Sequence, residues 1–142
     1  MKNPQRMMRA LEVIESTGNS ILFYQRGEKI KRDFSIVKVG LELPKEELVE
    51  RINRRVDMMM EEGQLEEVKS LATFKKFNAL QTVGYSELFD YLDKRITLPE
   101  AIERIKISTR QYAKRQLTWF KKDEDISWFQ PDNLKEIINH TI

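Results

Sequence analysis

A row of cations beside aromatic side chains lies in the segment Thr109–Lys122 (TRQYAKRQLTWFKK). If this segment is helical, at about 100° per residue, Arg110, Lys114 and Lys121 point within roughly 40° of one another. Trp119 is a further candidate, counted at the margin of this set. This cation row could neutralise phosphates while the neighbouring ring stacks on a base. A solvated helix face with its aromatic residues in the core fits the same pattern, so composition leaves both interpretations open.

The helix that would carry the cation row begins at a capping box formed by Thr97 and Glu100. It is expected to be the longest helix and to run to about Lys121. Arg115 points away from the cation row, which favours an internal ion pair. Gln116 falls on the apolar side, where a buried amide needs partners. The predicted buried side consists of Leu98, Ile102, Ile105, Tyr112, Ala113 and Phe120.

Two arginines, Arg51 and Arg55, lie one turn apart on the edge of another predicted helix. Guanidinium groups at this spacing can grip one diphosphate through paired hydrogen bonds. Ion pairing along the helix explains the same spacing, and the candidate carboxylates are Glu47, Glu50 and Asp57. Both interpretations stay open on the residues alone.

The segment from Gln81 to Ser86 (QTVGYS) combines a glycine with side chains that suit a base. Gln81 and Thr82 could read a base edge through hydrogen bonds, and Tyr85 could stack on it. Gly84 either lets a backbone approach a ligand or permits the turn before a helix. A plain junction between loop and helix is the alternative interpretation.

The amino-terminal helix, expected over residues 3–17, carries Gln5, Arg6 and Arg9. The two arginines are three residues apart and share a face, as charged residues on many solvated helices do. Residues 20–34 have no clean period, so we expect a polar loop there.

Residues 36–43 (IVKVGLEL) alternate between two faces and predict a strand. A lone strand cannot satisfy its backbone groups, and Ile126–Phe129 is one short partner candidate. We therefore expect further partners on missing sequence or on another chain. Helices are expected over residues 44–62, from about 65 to 72, and over 85–92.

Composition predicts a globular protein with a charged surface: of 142 residues, 40% are hydrophobic and 34% are charged. Because 25 cations nearly balance 23 anions, the distribution of charge decides whether a basic face exists. No run of 18 apolar residues occurs, which excludes a membrane span. The absence of cysteine fits a reducing compartment, and a cytoplasmic location is expected.

No complete catalytic set is recognisable in the sequence. His140 is the single histidine, which argues against histidine catalysis and histidine metal sites. Neither of the glycine-rich phosphate patterns, GxxxxGK(S/T) and GxGxxG, is present. The nucleophile pattern GxSxG is also missing.

Four ordered segments resemble the tRNA dimethylallyltransferases, or isopentenyltransferases: NPQRMMRALEVIESTG, ELVERINRRVDMMMEEGQLEEV, LQTVGYSEL and STRQYAKRQLTWFKK. The resemblance covers nearly the whole chain, from Asn3 to Phe129. The resemblance implies transfer of a dimethylallyl group from dimethylallyl diphosphate to N6 of the adenosine next to the tRNA anticodon. The base would be flipped out of the loop to expose its amine, and Mg²⁺ would assist departure of the diphosphate.

The family's phosphate-binding loop, of the nucleotide- and ATP-binding type, and its aspartate general base lie in an amino-terminal part without a counterpart here. The resemblance therefore implies a fragment that is inactive alone and contains neither catalytic residues nor Mg²⁺ ligands. Its fold class would be mainly α with one or two strands, the carboxyl-terminal part of an α/β P-loop-like enzyme whose parallel sheet is largely missing. Residues 1–33 would end a helical tRNA-gripping insertion, and residues 34–142 would belong to the catalytic core.

The resemblance also implies roles by position. Arg51 and Arg55 match arginines near the diphosphate, and Ser86 stands where the family often has a longer cation. The implied partners are a tRNA anticodon stem-loop and dimethylallyl diphosphate, with no membrane. The complete enzyme would be a monomer, whereas the unpaired strand would favour self-association of the fragment. The implied tRNA contacts are Gln5, Arg6, Arg9, Gln81, Thr82, Gly84, Tyr85, Ser86, Arg110, Lys114, Arg115, Gln116, Trp119 and Lys121.

Two alternatives use the same residues differently. A free-standing helical RNA-binding or adaptor protein would need only the basic face. A helical protein-interaction module would direct the apolar stripes to a partner and would not need the cation row.

Overall fold

The computed structural model describes residues 3–25 and 33–141. The chain divides into two compact units, Met1–Ile36 and Val37–Ile142. The roles expected for residues 1–33 and 34–142 stay predictions. Among the described residues, no helix has the length and apolar character needed to cross a membrane.

The first unit contains the expected amino-terminal helix, α1 (Pro4–Thr17). Asn3 caps it, because its side-chain oxygen accepts the backbone N–H of Arg6 at 3.2 Å. Gly18 ends it in the left-handed conformation, with φ 71°. Local capping chemistry therefore sets both ends of α1.

A short helix, α2 (Ile21–Gln25), follows where the polar loop was expected. The loop prediction is wrong for this stretch, because an apolar run forms a helical turn in which the rings of Phe23 and Tyr24 meet edge to face at 5.4 Å. The rest of that predicted loop, residues 26–32, lies outside the described residues.

The second unit contains a parallel pair of strands, β1 (Lys38–Leu41) and β2 (Ile126–Phe129). The strand predicted over residues 36–43 is thus two residues shorter at each end, and its candidate partner is confirmed. Gly40 lies opposite Trp128, and a Cβ at residue 40 would come within 2.7 Å of that indole. Over the described ranges the sheet holds these two strands, so each keeps one unpaired edge.

The helices of the second unit are α3 (Lys45–Glu61), α4 (Gln64–Ser70), α5 (Tyr85–Leu92), α6 (Leu98–Phe120) and α7 (Leu134–Thr141). Two 3₁₀ turns, Ala72–Phe74 and Asn78–Leu80, connect α4 to α5. The predicted capping box of α6 is confirmed, since the Glu100 carboxylate accepts the Thr97 N–H at 2.7 Å. This bond and the Thr97 hydroxyl lower the pKa of Glu100 below its ordinary value.

The hydrophobic core lies where α3, α4, α5 and α6 meet. Along α6, the buried residues are Ala101 and Ile105, both in its first half. The half of α6 that carries the cation row therefore extends past the packed core of the described residues. The core consists of Val56, Val68, Leu88, Phe89, Ala101 and Ile105.

Candidate nucleic-acid interface

The cation row lies on the second half of α6, and its members differ in their partners. Arg110 pairs with Glu103 at 3.1 Å, and Lys121 pairs with Glu42 at 2.6 Å. Lys114 is exposed and makes no ion pair with any described residue. Lys114 is therefore the member most ready to meet a phosphate, whereas Lys121 must first leave Glu42.

The aromatic side chains near the cation row are exposed. Trp119 is 67% exposed and meets Phe120 edge to face at a centroid distance of 4.9 Å. The expectation that Tyr112 and Phe120 are buried is wrong, since they are 53% and 42% exposed. Gln116, expected on the buried side, is exposed as well. Tyr112, Gln116 and Phe120 lie on the predicted apolar side of α6. They are nevertheless exposed, because the helices that pack against α6 bury its first half.

Two other cations of α6, Arg115 and Lys106, lie outside the cation row. Arg115 was expected to form an internal ion pair, but it is exposed and forms none with the described residues. Lys106 pairs with Asp57 of α3 at 2.6 Å, and its side chain is only 17% exposed. Lys106 therefore joins two helices, while Arg115 stays available on a different side of α6 from Lys114.

The Gly84 turn consists of residues Gln81 to Ser86 and ends within the first turn of α5. Gly84 has φ 97°, which favours glycine, and a Cβ there would lie 2.8 Å from the buried Gln64 amide nitrogen. The Gln81 side-chain amide donates to the Lys75 carbonyl at 2.6 Å. The turn therefore has no room for a side chain at position 84, and Gln81 already uses one of its donors.

Tyr85 is half-buried and packs against the core. Its hydroxyl donates to the Glu67 carboxylate at 2.6 Å, and this bond, with some desolvation, raises the pKa of Tyr85. The neighbouring Thr82 is exposed, and no hydrogen bond of its side chain to a described residue is observed.

The two candidate diphosphate arginines have different surroundings on α3. Arg51 pairs with Glu47 at 2.7 Å, which is the ion pair that the alternative interpretation expects. Arg55 is exposed and has no ion pair within the described residues. Arg54 between them pairs with Glu50 at 2.7 Å. Arg55 is therefore free to bind an anion, whereas Arg51 can bind one only after it releases the Glu47 carboxylate.

In the first unit, Gln5, Arg6 and Arg9 are all exposed on α1. The Arg9 guanidinium pairs with Glu12 at 2.8 Å. The Arg6 side chain has no such partner among the described residues. Both arginines keep most of their surface open to solvent, as an RNA contact requires.

Sequence reasoning missed a contact between the Gly84 turn and α6. The Glu87 carboxylate accepts the Gly84 N–H and the Ser108 hydroxyl, each at 2.8 Å. A capping box is recognised by the Ser, Thr, Asp or Asn at its first position. Glycine at that position removes this signal, although the Glu three residues later remains visible.

The described residues contain no group of three or more His, Asp or Glu side chains placed to hold a metal ion. Where the Mg²⁺ expected from the resemblance binds stays a prediction.

The family model described as IPP transferase matches residues 1–123. The chain is 49% identical over 140 residues to tRNA dimethylallyltransferase 1 of Bacteroides thetaiotaomicron, a match that covers 99% of this chain and 46% of that relative. It is 46% identical over 142 residues to tRNA dimethylallyltransferase of Flavobacterium johnsoniae, covering 100% and 46%. The chain belongs to the IPP transferase family, and it spans less than half the length of these curated relatives.

Two solved structures share the fold. The full-length tRNA isopentenylpyrophosphate transferase from Bacillus halodurans has a TM-score of 0.70 and 39% identity, over 98% of this chain and 44% of that one. The tRNA delta(2)-isopentenylpyrophosphate transferase from Staphylococcus epidermidis has a TM-score of 0.71 and 32% identity, over 96% and 48%. The expected fold class, mainly α with one or two strands and corresponding to a carboxyl-terminal portion of such enzymes, is confirmed.

Proposed function

We propose that this chain supplies the tRNA-binding surface of an enzyme that transfers a dimethylallyl group from dimethylallyl diphosphate to N6 of the adenosine next to the anticodon. The observation that carries the proposal is the unpaired Lys114 on the same exposed half of α6 as Trp119, in a chain of this family. An unpaired cation and an open ring on the same exposed half of a helix suit a phosphate backbone with unstacked bases.

The tRNA contacts would be divided between phosphates and a base. The cation row would bind the backbone, because its charges face one side of α6. Thr82 and the Gly84 turn would lie against a base that has left the stack, since flipping exposes the hydrogen-bonding edge and the N6 amine. Gln5, Arg6 and Arg9 of α1 would add contacts to the stem-loop.

The diphosphate would be held at α3 by Arg55, joined by Arg51 after release from Glu47. The exposed Arg51–Glu47 pair is of a kind that contributes little net stability, so a diphosphate can replace Glu47 at small cost. Mg²⁺ and the general base would belong to an amino-terminal portion, as would the phosphate-binding loop. No step through the metal is assigned to this chain.

We also propose a cellular location and an oligomeric state for the protein. The complete enzyme would be a cytoplasmic monomer in which an unpaired edge of the β1–β2 pair continues into a larger parallel sheet. Without that sheet, the same edge would favour self-association of this chain.

The test uses the complete protein that contains this chain. Charge reversal of Arg110 and Lys114 to Glu is expected to abolish tRNA stem-loop binding while dimethylallyl diphosphate binding persists. Replacing Arg51 and Arg55 by Ala should do the opposite. If both double variants alter only folding, the site assignment is wrong. If the protein binds the stem-loop with a steep salt dependence but transfers no prenyl group, it is an RNA-binding protein instead.

A further inference from the structure

One carboxylate touches both segments of the second unit that we propose to face tRNA. Glu87 lies in the first turn of α5, and its Oε2 accepts the Gly84 backbone N–H at 2.8 Å. Its Oε1 accepts the Ser108 hydroxyl at 2.8 Å. Gly84 belongs to the turn of residues 81–86, and Ser108 lies on α6 two residues before Arg110. A single side chain thus spans the gap between the two segments.

We infer that Glu87 is a positioning residue, which fixes the Gly84 turn against α6 and so sets the distance between the base contact and the cation row. This inference rests on the proposed function. Both bonds are charge-assisted, and the half-buried carboxylate is partly shielded from water, which strengthens them. An RNA that touches both segments at once is sensitive to small shifts between them, because misplacement by about 1 Å can reduce activity strongly.

Glu100 provides a matched control for the capping part of this role. It occupies the same position in the capping box of α6, where its Oε2 accepts the Thr97 N–H at 2.7 Å and the Thr97 hydroxyl at 2.9 Å. Its partners all lie within its own box. Removing Glu100 therefore removes a helix cap without loosening the contact between the Gly84 turn and α6.

The experiment compares Glu87→Ala, Glu87→Gln, Ser108→Ala and Glu100→Ala in the complete protein, by steady-state kinetics with an anticodon stem-loop and dimethylallyl diphosphate. Glu87→Ala is expected to raise the KM for the stem-loop about tenfold with the KM for the diphosphate unchanged. Glu87→Gln should recover most of this loss, because the amide oxygen can accept the Gly84 N–H while the amide nitrogen donates to Ser108. Glu100→Ala should leave both KM values unchanged.

Ser108→Ala keeps the cap of α5 and removes only the bond to α6, so it tests the inference even if Glu87→Ala does not fold. It is expected to raise the stem-loop KM about threefold. The inference is overturned if Ser108→Ala leaves that KM unchanged, or if Glu100→Ala raises it as much as Glu87→Ala does.

A second readout separates this inference from the proposed function. Hydrogen exchange of the Gly84 amide should become faster in Glu87→Ala and stay slow in Glu100→Ala, whatever the protein's substrate. If exchange responds in this way but wild-type protein transfers no prenyl group to RNA, the bond stands and the proposed function fails. Unchanged Gly84 exchange in Glu87→Ala removes the structural basis of the inference.

Discussion

The contrast between Lys114 and Lys121 gives two substitutions with opposite expected effects on RNA binding. Lys114 has no ion pair among the described residues, so Lys114→Ala removes one free positive charge. Lys121 is paired with Glu42 at 2.6 Å, so Glu42→Gln releases a charge that is otherwise compensated. The Lys121 and Glu42 side chains are 51% and 42% exposed, and exposed pairs add little to stability, so neither change should unfold the protein.

The magnitude follows from counting phosphate contacts. Each cation that neutralises a phosphate contributes about 0.7–0.9 to the slope of log K against log salt concentration. Lys114→Ala should lower the slope by that amount, and Glu42→Gln should raise it by a similar amount because Lys121 becomes available. A change of this size in the slope alters, by roughly threefold, the factor by which RNA affinity falls between about 50 and 200 mM salt.

The assay is stem-loop binding by the complete protein at several salt concentrations. Lys135→Ala is the matched control, since this exposed lysine of α7 also lacks an ion pair with the described residues and lies outside the proposed surface. Its slope should equal that of the wild type. The reasoning is refuted if Glu42→Gln lowers the slope, or if Lys135→Ala and Lys114→Ala lower it equally.

Two further predictions concern stability and pH. Gly84→Ala should reduce the free energy of unfolding by about 2–4 kcal/mol, from left-handed strain and from the approach to Gln64. Gly63→Ala has the same φ of 97°, but its Cβ would make only an ordinary contact with the Glu66 carboxylate at 3.9 Å, so it should lose only about 1–2 kcal/mol; urea unfolding measures both. The raised pKa of Tyr85 means that its bond to Glu67 stabilises the fold below the ordinary tyrosine pKa of 10.0 and that this contribution is lost as pH rises through the folded-state value. Tyr85→Phe should therefore flatten the alkaline side of the curve of stability against pH; an unchanged curve would contradict the assignment.

Local chemistry explains which elements could be predicted from the sequence. The caps at Asn3 and Thr97 and the glycine at position 18 act within one helical turn, so their effect is visible in adjacent letters. The alternation of apolar and polar residues in the strand is likewise visible in adjacent letters. Ile126–Phe129 was the short segment predicted to pair with it. The four family segments then indicated the family, which local patterns alone could not do.

The errors concern contacts between residues far apart in sequence. Periodicity located the apolar side of α6, but it could not show that the buried residues of α6 stop at Ile105, which leaves Tyr112 and Phe120 exposed. The Lys121–Glu42 pair joins residues on different elements, so no helical wheel contains it. The contact of Glu87 with Ser108 likewise depends on how α5 packs against α6.

The two tryptophans give this protein a pair of built-in optical reporters. Trp119 is largely open to solvent, so its fluorescence emission should lie at a longer wavelength than that of a buried indole and should be quenched by a stacked base. Trp128 lies in β2, half-buried, with the Lys121 ammonium 5.4 Å from its ring centroid, so its emission should respond to the sheet and to that cation. Single-tryptophan variants, each with the other indole replaced by Phe, would therefore separate RNA contact from changes in the strand pair without any added dye.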